Sequence, residues 1–301
     1  MLIQAAMKYL LLFSCVFLLP FSNQAQVQES DSLSLNVFLS AHPDDWQLFM
    51  NPNAYEAIKA KSQVLFVHTT AGDAGTGMGY DDYTLAREAG SLNAIRYLVN
   101  IAHGGRGKGP HGVAQSVEIK GKKIRAYPYK HTTAYFLRLP DGNGDGSGYD
   151  IHQFKSLEKF YKGEVKALHT VDSSAQYKNK KDLLKTLKAL VKKHHKIGQL
   201  LRFHIADTNA KRNPGDHSDH RFTSWLIQEV AKDFSGAELY FYKEYSSNKD
   251  PMNILGQAFL ISAGTWGVTA QGLTDFGHYS TWDSGHNAWV GRQYFTKTMV
   301  E

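Results

Sequence analysis

Two short clusters carry residue types suited to holding a metal ion: Ala41-His42-Pro43-Asp44-Asp45 and Asp216-His217-Ser218-Asp219-His220. One imidazole and two adjacent carboxylates from the first, with one or two imidazoles from the second, can assemble a His/His/carboxylate zinc site. Three protein ligands leave a coordination position open for water, as in a catalytic zinc. A donor set of nitrogen and oxygen without sulfur also suits other divalent metals. Taken singly, each cluster also reads as a turn in which Asp44, Asp45 or Asp219 caps the helix that follows. Their joint occurrence, each behind a β-prone run, favours the metal.

The elements that must position these clusters alternate strand and helix. Leu33 to Ser40 is an apolar, β-prone run that ends at the first cluster. Gln63 to Thr69 is a second, ending in the glycine-rich stretch Ala71 to Gly77. Leu85, Ala89, Leu92, Ile95 and Val99 recur at three- and four-residue steps and predict a helix. Ser116 to Tyr127 reads as a hairpin turning near Lys120-Gly121, and Ala134 to Leu139 as another strand. A helical leucine stripe runs from Leu183 to Val191; Leu200 to Ile205 is a strand, Phe222 to Val230 a helix, and Leu239 to Tyr242 a strand. Such alternation predicts a Rossmann-like α/β fold, a largely parallel sheet with helices on both faces. In such sheets ligands gather beyond the carboxyl ends of the strands, where both clusters stand. The tail from Gln257 is rich in glycine and aromatics and reads as a C-terminal extension packed on the domain.

The paired motifs His42-Pro43-Asp44-Asp45 and His217-Ser218-Asp219-His220 resemble those of the PIG-L/LmbE-like N-acetylglucosaminyl deacetylase family. Thr70-Ala71-Gly72-Asp73-Ala74-Gly75, Leu85-Ala86-Arg87-Glu88 and Leu139-Pro140-Asp141-Gly142 are similar to further family segments, in the expected order, over about residues 33–245. The resemblance implies zinc held by His42, Asp45 and His220, with Asp44 as the general base that takes a proton from the attacking water. It implies that His217, if protonated, donates to the oxyanion or to the leaving amine, and that Asp219 orients His217 or His220. Arg87 would then reach a substrate hydroxyl or phosphate, its plain alternative being a helix arginine paired with a neighbour. Asp141 would bind a sugar hydroxyl or support a ligand histidine, and Asp73 would likewise border the substrate.

Other signals are weaker. Asp141 to Ser147 imitates the first half of a calcium loop, but His152 stands where the bidentate glutamate belongs, so a glycine-rich turn is expected. Gly72 to Gly79 lacks the lysine and Ser/Thr of a phosphate-binding loop. His194-His195 falls in a basic helix, and Gly104 to Pro110 reads as an exposed basic loop. Trp266, Tyr279, Trp282 and Trp289 read as packing for the extension, with sugar stacking as the alternative; His278 and His286 are assigned no role.

The 301 residues are 42% hydrophobic and 21% charged, the composition of an ordinary globular domain, and the net charge of +6 is spread along the chain. Lysine groups with no nucleic-acid motif beside them read as a solvated face, so no nucleic-acid partner is expected. Lys8, the apolar run Tyr9 to Phe21 and the polar stretch Ser22 to Gln26 form a secretory leader, cleaved after Ala25 and too short for a stable membrane span. Leu12-Phe13-Ser14-Cys15 is a poor lipoprotein box, with Phe13 misplaced and apolar residues after the cysteine. Since Cys15 is the one cysteine, residues 26–301 have no disulfide and no thiolate ligand. The expected protein is an exported, periplasmic or extracellular metal-dependent amide hydrolase acting on an N-acylated sugar or glycoconjugate. The alternatives are an amidase for a non-sugar amide and a glycan-binding protein without turnover.

Overall fold

β1 (Ser34–Ser40) is buried along its whole length, as a central strand of a covered parallel sheet must be. The structure, a computed structural model, describes residues 34–79, 82–104 and 113–301. The leader with Cys15, and positions 105–110 of the basic loop, lie outside the described residues. The other strands are β2 (Gln63–Thr70), β3 (Gln115–Ile119), β4 (Lys122–Tyr129), β5 (Thr132–Leu139), β6 (Leu168–His169), β7 (Gln176–Tyr177), β8 (Leu200–Ala206), β9 (Glu238–Tyr242) and β10 (Phe295–Met299). The helices are α1 (Asp45–Phe49), α2 (Asn53–Lys59), α3 (Tyr83–His103), α4 (Leu157–Lys162), α5 (Lys180–His194), α6 (Ser218–Ala231), α7 (Gly256–Thr274) and α8 (Ser284–Asn287).

Among the described residues an eight-stranded sheet runs in the order β10-β9-β8-β1-β2-β5-β4-β3. The neighbours from β9 through β5 pair in parallel. The β3–β4 hairpin and β10 add antiparallel edges. The fold is therefore α/β with a mostly parallel sheet. Period-two alternation divides its side chains between two cores. Leu35, Val37, Leu39, Leu65, Val67, Phe203 and Ile205 face one, together with Leu183, Leu187 and Leu190 of α5 and Phe222 and Leu226 of α6. Phe38, Val64, Phe66 and Phe136 face the other, beneath α1, α2, α3 and α7.

One expectation needed refinement, and the tail, read only as a packed extension, gains definition. The stripe on α3 is only half right: Ile95 and Val99 are buried, but Leu85, Ala89 and Leu92 are partly exposed, and Ala94 and Leu98 complete the buried face. The glycine- and aromatic-rich tail contains a 19-residue helix, α7, which packs along α3. Its glycines, poor helix formers alone, are there for close approach. A Cβ on Gly272 would collide with the backbone N and Cα of Gly90, and a Cβ on Gly90 would lie 2.5 Å from the Thr269 carbonyl oxygen. Alanine is worth about 1 kcal/mol more than glycine inside an isolated helix. Gly272→Ala is nonetheless expected to destabilise the protein by about 1–3 kcal/mol through overpacking. A lowered urea midpoint reads this out, and a raised one would mean that the helices can part. Trp266 is fully buried in the same layer and donates to Asn287 Oδ1 at 3.0 Å, so it packs as expected. Tyr279 and Trp282, by contrast, are exposed.

Candidate metal centre

The two clusters converge where the sheet's central strands end. His42 follows β1, and its backbone N–H donates to Asp45 Oδ2 at 2.7 Å, which seats Asp45 in the first turn of α1. The positive end of a helix dipole favours a carboxylate there. The second cluster follows β8. α6 starts at Ser218, four residues earlier than the apolar pattern suggests, because His217 caps it: Nδ1 accepts from the Asp219 N–H at 3.1 Å. The helix therefore delivers Asp219 and His220 in its first turn.

Three ligand atoms face one another at nearly equal distances. His42 Nδ1 lies 3.1 Å from His220 Nε2 and 3.4 Å from Asp45 Oδ1, and His220 Nε2 lies 3.3 Å from Asp45 Oδ1. Ligands bound tetrahedrally at ~2.0–2.1 Å are separated by about 3.3–3.4 Å, so the triangle has the edge such a metal imposes. The outer contacts set the tautomers. His220 Nδ1 faces Asp216 Oδ1 at 2.9 Å and Glu244 Oε2 at 2.6 Å. His42 Nε2 faces Asp219 Oδ2 at 3.5 Å and Asp141 Oδ2 at 3.9 Å. A metal-bound centre would need each ring's outer N–H towards these carboxylates, with both inner nitrogens as lone pairs beside the Asp45 oxygen. His217 also belongs to a grouping with His42 and His220 whose ligand atoms lie within 4.8 Å of one another. The residues fit a divalent metal.

Electrostatics point the same way. Burial disfavours charge on His42, but Asp45, Asp219 and Asp141 outweigh it and raise its pKa to about 10. Burial likewise opposes a charge on Asp45, yet His220 and His42 hold its carboxyl well below the usual range. The pocket stabilises positive charge at its centre.

Asp44 and Asp219 are not the helix caps that the plain reading expected. Asp44 stands at the N-cap of α1 without a side-chain cap bond. Instead it pairs with Arg87, whose other terminal nitrogen donates to the Gly72 carbonyl at 2.5 Å. Gly72 is required there, since its φ is +57° and a Cβ would lie 2.6 Å from Arg87 Nη1. Arg87 is thus turned inward onto Asp44. Asp219 Oδ2 accepts from the Gly142 N–H at 2.8 Å, which ties the second cluster to the Leu139-Pro140-Asp141-Gly142 turn. That turn brings Asp141 within 3.9 Å of His42 Nε2 and His217 Nε2.

Asp73 stands beside the Asp141 turn. Its carboxylate accepts from the N–H groups of Asp141 at 3.1 Å and Gly77 at 2.8 Å, and pairs with His152 at 2.6 Å. With both oxygens engaged, it clasps the glycine-rich stretch to the Asp141 turn. Asp141 in turn accepts from Ala74 and Asn143 N–H groups, so this loop closes on its own backbone, as the glycine-rich turn reading expected.

A family model described as PIG-L, GlcNAc-PI de-N-acetylase, matches residues 37–231. The chain belongs to the PIG-L de-N-acetylase family. Among solved structures it is similar to an inhibitor-bound N,N'-diacetylchitobiose deacetylase from Pyrococcus horikoshii, at 15% identity, with 88% of this chain and 84% of that chain covered and a TM-score of 0.42. The comparison with curated proteins found no match.

The family match stops at the end of α6, short of the residue 245 expected from the motifs. Glu244 and Tyr245 lie beyond it yet reach the centre: the Tyr245 ring sits 4.9 Å from that of His220 and stacks on Trp289 at 5.2 Å. Sequence reasoning missed Glu244 and Tyr245, gave Asp216 no part, and read Trp289 only as packing for the extension or a sugar platform. The available signal for Glu244 was its place just past the carboxyl end of a parallel strand, β9.

Proposed function

We propose that the chain is an exported zinc-dependent hydrolase that removes an acyl group, acetyl foremost, from an N-acylated sugar or glycoconjugate. The observation that carries this reading is the His42/Asp45/His220 triangle with the Asp44 carboxylate beside it. Zinc held there would supply Lewis acidity, polarising the amide carbonyl and bringing the pKa of a water towards ~7. Asp44 takes a proton from the water that attacks the carbonyl carbon. It is free to do so because it is not among the three ligands, and Arg87 holds its orientation. His217 stays neutral, since burial and the neighbouring His42 and His220 oppose its charge. Its Nδ1 accepts from Asp219 N–H, which places the ring proton on Nε2. From there it donates to the developing oxyanion, the kind of donor worth about 10²-fold or more in rate. A neutral His217 leaves Asp44 to return the proton to the nitrogen as the C–N bond breaks, releasing a carboxylic acid and an amine. Asp219 and Asp141 hold the histidines, and Asp141 and Arg87 border the place a sugar hydroxyl would take.

The family description names de-N-acetylation of GlcNAc-PI, which supports an N-acetylated sugar as the substrate class. Export rests on the leader at residues 1–25, with residues 26–301 as the mature enzyme. Among the described residues no helix is long and apolar enough to cross a membrane. Acetate release from a panel of N-acetylglucosamine oligomers by the zinc-loaded protein tests the reading. Release is expected. A chain that binds zinc but hydrolyses only non-sugar amides would move the substrate class, and one that binds zinc and hydrolyses no amide would be a binding protein.

A further inference from the structure

His220 is held from behind more elaborately than one hydrogen bond requires. Asp216, one turn earlier, accepts its Nδ1–H at 2.9 Å. Glu244 Oε2 lies closer still, at 2.6 Å, although a single N–H can point along only one of the two lines. Both carboxylates are buried, and neither Glu244 Oε2 nor Asp216 Oδ2 has a hydrogen-bond partner. Two buried carboxylates at one imidazole cost stability, since each loses its hydration. The backbone nevertheless presents Glu244 firmly: its N–H donates to Asn213 Oδ1 at 3.1 Å, and its carbonyl accepts from Ser247 N–H at 2.9 Å.

The walls around this arrangement are apolar. The Tyr245 ring meets His220 edge-on at 84°, and Trp289 stacks on Tyr245 and donates to its carbonyl at 2.9 Å. Phe49 closes another side, with its ring 6.3 Å from His220 and 5.6 Å from Trp289.

We propose that Glu244, supplied by the segment beyond the family match, is a positioning residue of the metal centre. With Asp216 it locks the plane and tautomer of His220, aiming the Nε2 lone pair at the metal and raising the ring's strength as a ligand. The inference rests on the metal reading of the triangle. It makes residues past 231 part of the centre, so that β9 and the Tyr245–Trp289 stack complete a site whose direct ligands all lie earlier. Groups that orient metal-bound histidines typically change metal affinity by about 10–100-fold when removed.

The test measures zinc affinity by competition with a chromophoric chelator, together with the melting temperature of the metal-free protein. Wild type, Glu244→Gln and Glu244→Leu are compared. Glu244→Gln retains an acceptor for the ring N–H and is expected to bind zinc within about threefold of wild type. Glu244→Leu is expected to lose about 10–100-fold in affinity, with a metal-free melting temperature equal to or above that of wild type, because a costly buried carboxylate is gone. Unchanged affinity in Glu244→Leu would overturn the proposal. So would an affinity loss that merely follows a fall in the metal-free melting temperature, since that is what a structural role predicts. A wild-type chain that binds no zinc would overturn the metal reading itself, and this inference with it.

Discussion

Asp44→Asn is expected to lower kcat for amide hydrolysis by about 10²–10⁴-fold, the usual worth of a positioned general base. Zinc affinity should stay close to wild type, because the facing atoms of the triangle belong to His42, Asp45 and His220. Asparagine is the informative replacement. Its side-chain oxygen can still accept from Arg87, so the guanidinium, which also donates to the Gly72 carbonyl, keeps its place. What is lost is the capacity to take a proton from water and return it to nitrogen. Single-turnover acetate release with zinc-loaded protein makes the comparison, with metal content measured on the same samples. Activity within a few-fold of wild type would remove Asp44 as the base and shift attention to His217. Loss of activity together with loss of metal would instead make Asp44 part of the binding site.

Removal of the metal should have the other large effect. Chelation is expected to reduce hydrolysis to background, and zinc to restore it, because no residue of the site replaces the Lewis acid. Stability should follow. A ligand at a hundredfold excess over its Kd stabilises the folded state by about 2.7 kcal/mol. For a chain of this size that raises the melting temperature by roughly 4–5 °C. The gain should disappear in His42→Ala, which removes one corner of the triangle while leaving the α1 backbone intact. Activity that survives thorough chelation would sink the metal mechanism, and a zinc-dependent rise persisting in His42→Ala would place the metal elsewhere. The elevated pKa of His42, which burial opposes but Asp45, Asp219 and Asp141 impose, is the mark of a pocket that draws in positive charge.

A good part of this protein was legible in its sequence, and the reason is local. A strand buried on both faces must be a continuous apolar run, so β1 and β2 could be read from Leu33 to Ser40 and Gln63 to Thr69. Their chemistry-bearing residues stand directly behind them, and an open sheet leaves few other places for ligands. The two clusters were therefore legible as candidate metal ligands from residue type and position, and the choice of His42, Asp45 and His220 among them came from the family likeness. Even the one-turn error at the start of α6 has a local cause, since histidine is an unusual N-cap and the first turn is polar.

What the sequence left open depends on pairs far apart in the chain. His42 and His220 are separated by 178 residues, and only the parallel pairing of β1 with β8 sets their nitrogens 3.1 Å apart. Whether Arg87 faces solvent or Asp44 is decided by the Gly72 turn, and that Asp73 clasps two loops follows from its bonds to Gly77, Asp141 and His152. The helix α7 shows too little one-sided patterning to be recognised alone, because α3 on one side and the glycine contacts between them shape it. Glu244 is a lone acid after an edge-ward strand until β9 docks beside β8 and brings it to His220. Residue type and local periodicity determined the strands and the candidate ligands, because hydrophobic burial and ligand chemistry act on each segment by itself. Tertiary structure alone decided which carboxylates stand behind the histidines and which face is closed, because those are contacts between segments whose mutual placement no local pattern encodes.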